Sequence, residues 1–318
     1  MTVRHVLSLT DVGAEGLARL VDDALAVARG EWEGRRPLAG KYVGIYFRKT
    51  STRTRTSFTV GAQRLGASTI AYGPNDLQIA TGESVQDTAR VLSNYLDALV
   101  IRTNETVEEM RQLANQERMA IVNAMSDNEH PTQAVADLAM LKERFGRLDG
   151  LHVLYIGEGN NSTAALALAT ALTPGLRLTI ITPEGYGMSQ DFLESLRPIA
   201  RANGDAGDSD RIVHHFSMED LPQVDAVYTT RWLTMGVPKS DEGWLDKFRP
   251  YTIDPAVMAR VTKDSGTIFL HDLPASRGWE VTDEVLDGPQ SVAFRQAYHK
   301  MTGAMAVLNW CLAGEGQA

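Results

Sequence analysis

Cysteine is almost missing from this chain: Cys311 is the only one among 318 residues. No internal disulfide can form, and no thiolate cluster can hold a metal. This usage fits the cytoplasm. Long apolar runs are missing too. The opening residues, Met1-Thr2-Val3-Arg4-His5-Val6-Leu7-Ser8, contain no hydrophobic h-region, and nothing approaches the roughly 18 apolar residues a spanning helix needs. Positive charge is in deficit, with 31 Lys and Arg against 40 Asp and Glu, a formal net charge of −9. That argues against general nucleic-acid binding, which calls for basic stripes. There is no Walker A sequence and no Gly-x-Ser-x-Gly elbow. His214-His215 has no matching ligand set, and no sequence repeat or low-complexity segment occurs.

What remains is an ordinary globular composition, 43% hydrophobic and 22% charged, in a chain long enough for two domains. Apolar runs at 41–47, 68–72, 98–101 and 120–123 alternate with helical patterns at 11–29, after 47, at 85–96 and at 107–114. Thr10 or Asp11 is expected to cap the first helix and Ser84 the third. A helix follows over 130–145. A second series starts at 151–156 and continues at 176–181, 211–213, 225–228 and 267–270, and an apolar helix closes the chain at 293–312. This alternation predicts an α/β fold of two domains, each a parallel sheet flanked by helices, with the C-terminal helix packing back on the first domain. The domains are placed at 1–145 with 291–318, and at 146–290.

Residues 48–58, Arg-Lys-Thr-Ser-Thr-Arg-Thr-Arg-Thr-Ser-Phe, carry the most information. They turn from a strand into a helix, whose N-terminal N–H groups and dipole favour an anion. Ser51, Thr52 and Thr54 add hydroxyl donors. Arg53 and Arg55 add planar forks that match phosphate oxygens. A plain cap needs one hydroxyl, not several. On an acidic chain, this local positive site suits a small anionic substrate. Arg102 ends a strand, where ligands of parallel α/β sheets bind. His130 and Gln133 stand three apart on one helix face. Gly157-Glu158-Gly159-Asn160-Asn161-Ser162 follows a strand and mimics a dinucleotide fingerprint, with Ser162 in place of the third glycine and Glu184 near the end of the next strand. This second feature would suit a nicotinamide-dependent oxidoreductase.

Ser51-Thr52-Arg53-Thr54-Arg55, Arg102, His130-Pro131-Thr132-Gln133 and His271-x-Leu273-Pro274 occur in that order, and together they resemble the aspartate/ornithine carbamoyltransferase family. The stretch Gly82 to Leu92 is similar to the ornithine branch. The resemblance implies two α/β domains, a homotrimer with active sites shared between subunits, and no metal or organic cofactor. The first domain would bind carbamoyl phosphate through Ser51, Thr52, Arg53, Thr54, Gln78, Arg102, His130 and Gln133. Arg102 and His130 would polarise the carbonyl as an amine attacks it.

The second domain would bind the amine, and here the pattern departs from the family. Asn161 matches the asparagine that grips the amino-acid end in ornithine-type enzymes. Thr230-Arg231-Trp232-Leu233-Thr234-Met235-Gly236 aligns with Asp-x-Trp-x-Ser-Met-Gly, so Thr230 replaces the aspartate that would hold the α-ammonium, and Thr234 replaces serine. Thr230-Arg231 instead resembles the carboxylate-binding pair of aspartate-type enzymes. Beside Leu273, Asp272 stands where ornithine enzymes carry cysteine, close to the reacting nitrogen, where it could hold an ammonium or help deprotonate the amine. Lys300 sits near where those enzymes have an arginine. An acidic group missing at one position and present at another implies a relocated cation. The expected substrate is a small diamino acid, ornithine-like or shorter, with 2,3-diaminopropionate one candidate. A binding paralogue without catalysis is the other alternative.

Overall fold

A β-branched and aromatic run, Tyr42–Phe47 (β1), enters the protein beside Ala98–Arg102 (β3), and every residue of β3 is buried. Ser68–Tyr72 (β2) and Ala120–Met125 (β4) complete a four-stranded parallel sheet in the order β2-β1-β3-β4. Leu9–Ala28 (α1), Arg53–Arg64 (α2), Val85–Leu92 (α3), Glu108–Leu113 (α4) and Pro131–Phe145 (α5) alternate with the strands. The second sheet joins His152–Ile156 (β5), Arg177–Ile181 (β6), Ile212–His215 (β7), Ala226–Thr229 (β8) and Ile268–His271 (β9) in the parallel order β7-β6-β5-β8-β9. Asn161–Leu172 (α6), Gln190–Ala202 (α7), Trp244–Phe248 (α8), Pro255–Val261 (α9) and Asp283–Leu286 (α10) accompany it, and Ala293–Leu312 (α11) closes the chain. The computed structural model describes residues 3–204, 211–233 and 239–313.

Two compact units result. One takes the chain up to Ala139 and again from Tyr298, and the other takes Met140–Ala297. The divisions fall inside α5 and α11, where the sequence placed the joints at 145/146 and 290/291. The last part of α11 packs on the first unit. A Cβ on Gly61 of α2 would come within 3.0 Å of Met305 Cγ, so glycine is what lets the two helices approach. The first unit's core gathers Tyr46, Leu92, Leu99, Ile101, Met110 and Ile121. The second unit's core gathers Leu154, Ile156, Val227, Phe269 and Val281. Every residue of α6 from Ser162 to Leu172 is buried, as expected of an Ala/Leu-rich helix with no polar face.

Two boundaries differ from expectation. Ser8, not Thr10 or Asp11, caps α1. Its side chain accepts the Thr10 N–H while Asp11 reaches back to the Ser8 N–H, closing a capping box. Helix α3 stops at Leu92 instead of Leu96, because Ser93 Oγ (3.0 Å) and Asn94 Nδ2 (2.7 Å) both donate to the Arg90 carbonyl and offer the backbone another partner. Ser84 caps α3 as expected, accepting from the Asp87 N–H.

Arg211 supports the second unit from inside. It is 8% exposed, and its two terminal nitrogens donate to the carbonyls of Thr170, Thr173, Leu176, Ala171 and Ala200, at 2.6 to 3.4 Å. These are end-of-helix carbonyls of α6 and α7 and the turn after α6; Thr170, Thr173 and Ala200 also accept the N–H groups of Thr173, Leu176 and Asn203, so at those three the guanidinium is a second donor.

Candidate active site

In the order β2-β1-β3-β4 the chain reverses direction of travel between β1 and β3, and ligands of parallel sheets bind at such a point. The Arg-rich turn leaves β1 there, and Arg102 is the last residue of β3, opposite Phe47. Arg102 is buried, and its Nη1 donates to Thr54 Oγ1 at 3.2 Å, across the switch point. Thr54 is buried in the first turn of α2. Thr52, at the N-cap position, has helical backbone angles and makes no capping hydrogen bond. The hydroxyls of this turn are therefore not spent on capping. Arg53 and Ser51 are half-buried, Thr52 and Arg55 exposed. Arg48 is committed elsewhere: it forms a two-pronged pair with Glu109 (2.9 and 2.7 Å) and donates to the Tyr46 hydroxyl.

His130 follows the end of β4 and precedes α5. Its ring is buried, and its Nδ1 has no hydrogen-bond partner among the described residues. Burial, then the positive charges of Lys300 and Arg102, hold its pKa well below the ordinary value. The imidazole is thus neutral near pH 7 and presents one N–H and one lone pair. One turn on, Gln133 is 1% exposed. Lys300 Nζ of α11 donates to Gln133 Oε1, and Gln133 Nε2 donates to Asp137 Oδ1 at 2.6 Å. The two partners fix which way the amide faces. Asp137 was not foreseen from sequence, although the i, i+4 spacing of Gln133 and Asp137 on one helix is a usable signal. Gln78 lies apart from these contacts, exposed in a single 3₁₀ turn where its Oε1 accepts from Thr81 Oγ1.

The second sheet repeats the logic. Its order β7-β6-β5-β8-β9 reverses between β5 and β8. Asn160 Nδ2 spans that point and donates to Thr230 Oγ1 at 2.8 Å. Tyr155 donates its hydroxyl to the Glu158 carbonyl (2.6 Å) and so accepts from Thr230 at 3.0 Å. The Thr230 hydroxyl is thereby used in both directions inside the unit. Burial pushes the Tyr155 hydroxyl pKa upward. Arg231 is half-buried, and its Nε finds no partner among the described residues. Thr234 and Met235 lie outside the described residues.

Asp272 follows β9. Ser162 Oγ of α6 donates to its Oδ2 at 3.1 Å, a contact the sequence did not reveal across 110 positions. Asp272 Oδ1 also lies 3.6 Å from His271 Nδ1. That nitrogen accepts the Leu273 N–H at 2.8 Å, so it carries no proton and the approach is not an ion pair. The His271 Nε2 faces Glu280 Oε1 at 3.3 Å. Leu273 holds φ at 55°, in the left-handed region, which brings its N–H onto the ring. Asn161 opens α6 next to the cap residue Asn160.

The dinucleotide reading finds no support here. Asn160 Oδ1 already accepts the N–H groups of Ser162 and Thr163 at the start of α6. Gly159 packs on the chain's own turn, where a Cβ would stand 2.7 Å from Gly187 C and Met188 N. The close backbone approach serves that turn and not a pyrophosphate.

Known proteins share this sequence pattern and this fold. Residues 4–143 match the family model for the carbamoyl-P binding domain of aspartate/ornithine carbamoyltransferase, and residues 149–311 match its Asp/Orn binding domain. An ornithine carbamoyltransferase from Parafrankia sp. is 38% identical over 317 residues, covering 98% of this chain and 97% of that one. Another from Caldicellulosiruptor saccharolyticus is 38% identical over 310 residues, covering 96% and 97%. Among solved structures, the ornithine carbamoyltransferase from Pyrococcus furiosus superposes with a TM-score of 0.88 at 33% identity, over 98% of each chain. The chain is a carbamoyltransferase in class, an enzyme that moves a carbamoyl group. It belongs to the aspartate/ornithine carbamoyltransferase family.

Proposed function

We propose that the enzyme transfers the carbamoyl group of carbamoyl phosphate to the side-chain amine of a small diamino acid, ornithine-like or shorter, giving a ureido product and phosphate. The first unit would take carbamoyl phosphate. Arg53, Ser51, Thr52 and the open start of α2 suit the phosphate, while Arg102, Thr54 and neutral His130 suit the carbonyl oxygen. Gln133, held at both ends, would face the carbamoyl amide. The neutral amine attacks the carbonyl carbon, a C–N bond forms, the C–O bond to phosphate breaks, and phosphate leaves with the amine proton. Donors fixed before the reaction stabilise the charge that grows on oxygen.

The amine would belong to the second unit, with Asn161, Arg231, Thr234, Met235 and Leu273 at its amino-acid end and Asp272 near its nitrogen. What carries the shorter substrate is the pairing of Thr230 with Asp272. The threonine hydroxyl is used inside the unit, whereas Asp272 accepts from a neutral serine and retains capacity for an ammonium or a leaving proton. The family's trimer would apply here too, with Gln78 then serving a neighbouring subunit, in the cytoplasm.

Incubating the enzyme with carbamoyl phosphate and a panel containing 2,3-diaminopropionate, 2,4-diaminobutyrate, ornithine and aspartate tests this. A ureido product is expected from a diamino acid, with the shorter ones preferred. Ornithine in first place would return the substrate to that of the relatives, and no product from any amine would leave a binding paralogue.

A further inference from the structure

One cluster of the second unit takes no part in the chemistry above. Lys239 is a lysine with only 7% of its side chain exposed, and its Nζ forms an ion pair with Glu158, itself 17% exposed. The same ammonium stands 4.9 Å from the ring centroid of Tyr186, 4.9 Å from that of Phe248 and 5.4 Å from that of Trp244. The rings hold one another in place: Phe248 meets Tyr186 edge-on at 4.8 Å and Trp244 at 5.6 Å. Three aromatic faces and one carboxylate around a single cation are the chemistry that recognises alkylammonium groups. Long, strongly hydrated lysine side chains ordinarily keep the ammonium in water. Here the chain gives that hydration up.

The cluster also borders the polar network already described. Glu158 lies between Gly157 and Gly159 of the β5–α6 turn, and its carbonyl accepts both the Tyr155 hydroxyl and Thr163 Oγ1. Burial first, and then the charges of Asp272 and Glu158, raise the pKa of the Tyr155 hydroxyl.

We propose that Glu158, Tyr186, Trp244 and Phe248 form an alkylammonium-binding site that the chain fills with its own Lys239. The internal cation neutralises Glu158, so that of the two carboxylates near Tyr155 it is Asp272 that is offered to a substrate ammonium. The binding site stands on its own geometry, and the effect on substrate choice rests on the transfer reaction proposed above.

The probe is n-butylammonium, which reproduces the lysine side chain, with n-butanol as its neutral counterpart. In Lys239→Ala, n-butylammonium is expected to quench indole fluorescence saturably, at least about tenfold more tightly than in the wild type, while n-butanol does not. Equal uptake of the alcohol, no uptake of either, or equal binding by the wild type would each overturn the site. A second measurement needs no cavity variant. In the wild type, acetic anhydride should label Lys239 at least about tenfold more slowly than exposed Lys49, and Glu158→Gln should narrow the gap severalfold. Labelling at the rate of Lys49 would overturn the site as well. The amine panel separates the two claims. If Lys239→Ala binds n-butylammonium and gains activity on longer diamino acids relative to shorter ones, both stand. If it binds n-butylammonium without any shift in preference, the effect on substrate choice falls. If the wild type carbamoylates nothing, the transfer reaction fails while the ammonium site is still judged by its own two readouts.

Discussion

The two sheets solve the same topological problem with opposite electrostatics. Each reverses its strand order once, and in each a side-chain hydrogen bond crosses the reversal: Arg102 to Thr54 in the first unit, Asn160 to Thr230 in the second. Around the first crossing stand Arg102, Arg53, Lys300 and an imidazole kept neutral by burial and by the charges of Lys300 and Arg102. Around the second stand Asp272, Glu158 and hydroxyls that bond one another. A site for a phosphate-bearing ligand must keep its donors open and its positive charge in excess. A site for an amine must hold negative charge in check, so that one carboxylate and not several addresses the ligand. The two matched domains of the family divide the same way, one for carbamoyl phosphate and one for the amino acid, and under the proposed function the contrast in charge would follow that division.

The comparison can be broken most forcefully at Arg102. Arg102→Ala removes a buried guanidinium from the place where charge would develop in the proposed reaction, and a loss of about 10³-fold in kcat/KM is expected, since single oxyanion donors are worth about 10²–10³. Steady-state rates with carbamoyl phosphate varied would show it, and a loss under tenfold would mean that the first unit does not work by charge. Asp272→Asn keeps the shape and the contact with Ser162 while removing the negative charge. A fall of roughly 10²-fold in kcat/KM for the preferred diamino acid is expected, on the scale of removing one general base or charge-assisted hydrogen bond, with the KM for carbamoyl phosphate nearly unchanged. A rise in that KM instead would erase the division of labour between the units.

The smallest effect sharpens the first unit alone. Glu129, next to His130, is half-buried and accepts the Leu9 N–H at 2.9 Å. Burial, and then the charge of nearby Asp11, raise its pKa from 4.5 to about 7 against the pull of its hydrogen bonds. Between those two values the folded state holds a proton that the unfolded chain has released, so stability falls as pH rises from about 4.5 to about 7. Glu129→Gln keeps an acceptor for Leu9 and should gain about 1–2 kcal/mol at pH 8 over the wild type, allowing for partial exposure, and little at pH 4. Urea unfolding at the two pH values would show this. A variant equally stabilised at both would mean that the proton is not the cause.

Much of this was legible in the chain. Buried strands such as Ala98–Arg102 announce themselves as apolar runs, because both faces of a parallel sheet are covered. The first cluster is readable because its key residues sit at strand ends and in one turn, where local sequence fixes position. The α1 cap was misplaced because Ser8, Thr10 and Asp11 are all good cap residues and only the observed hydrogen bonds choose among them. The second cluster was half hidden. Asp272 and Thr230 stand out as departures from a pattern, but Ser162 is 110 positions from Asp272 and Lys239 is 81 from Glu158. Nothing local couples such pairs; the folding of β5, β8 and β9 side by side brings them together.

Arg211 shows how narrowly a buried cation can limit the variation open to a lineage. Its guanidinium serves five carbonyls drawn from two helices and the turn after one of them. Lysine, the commonest neighbour in chemical type, offers three donors from a single point and cannot span that arc. A drift toward lysine would therefore strip side-chain donors from the ends of both helices in one step.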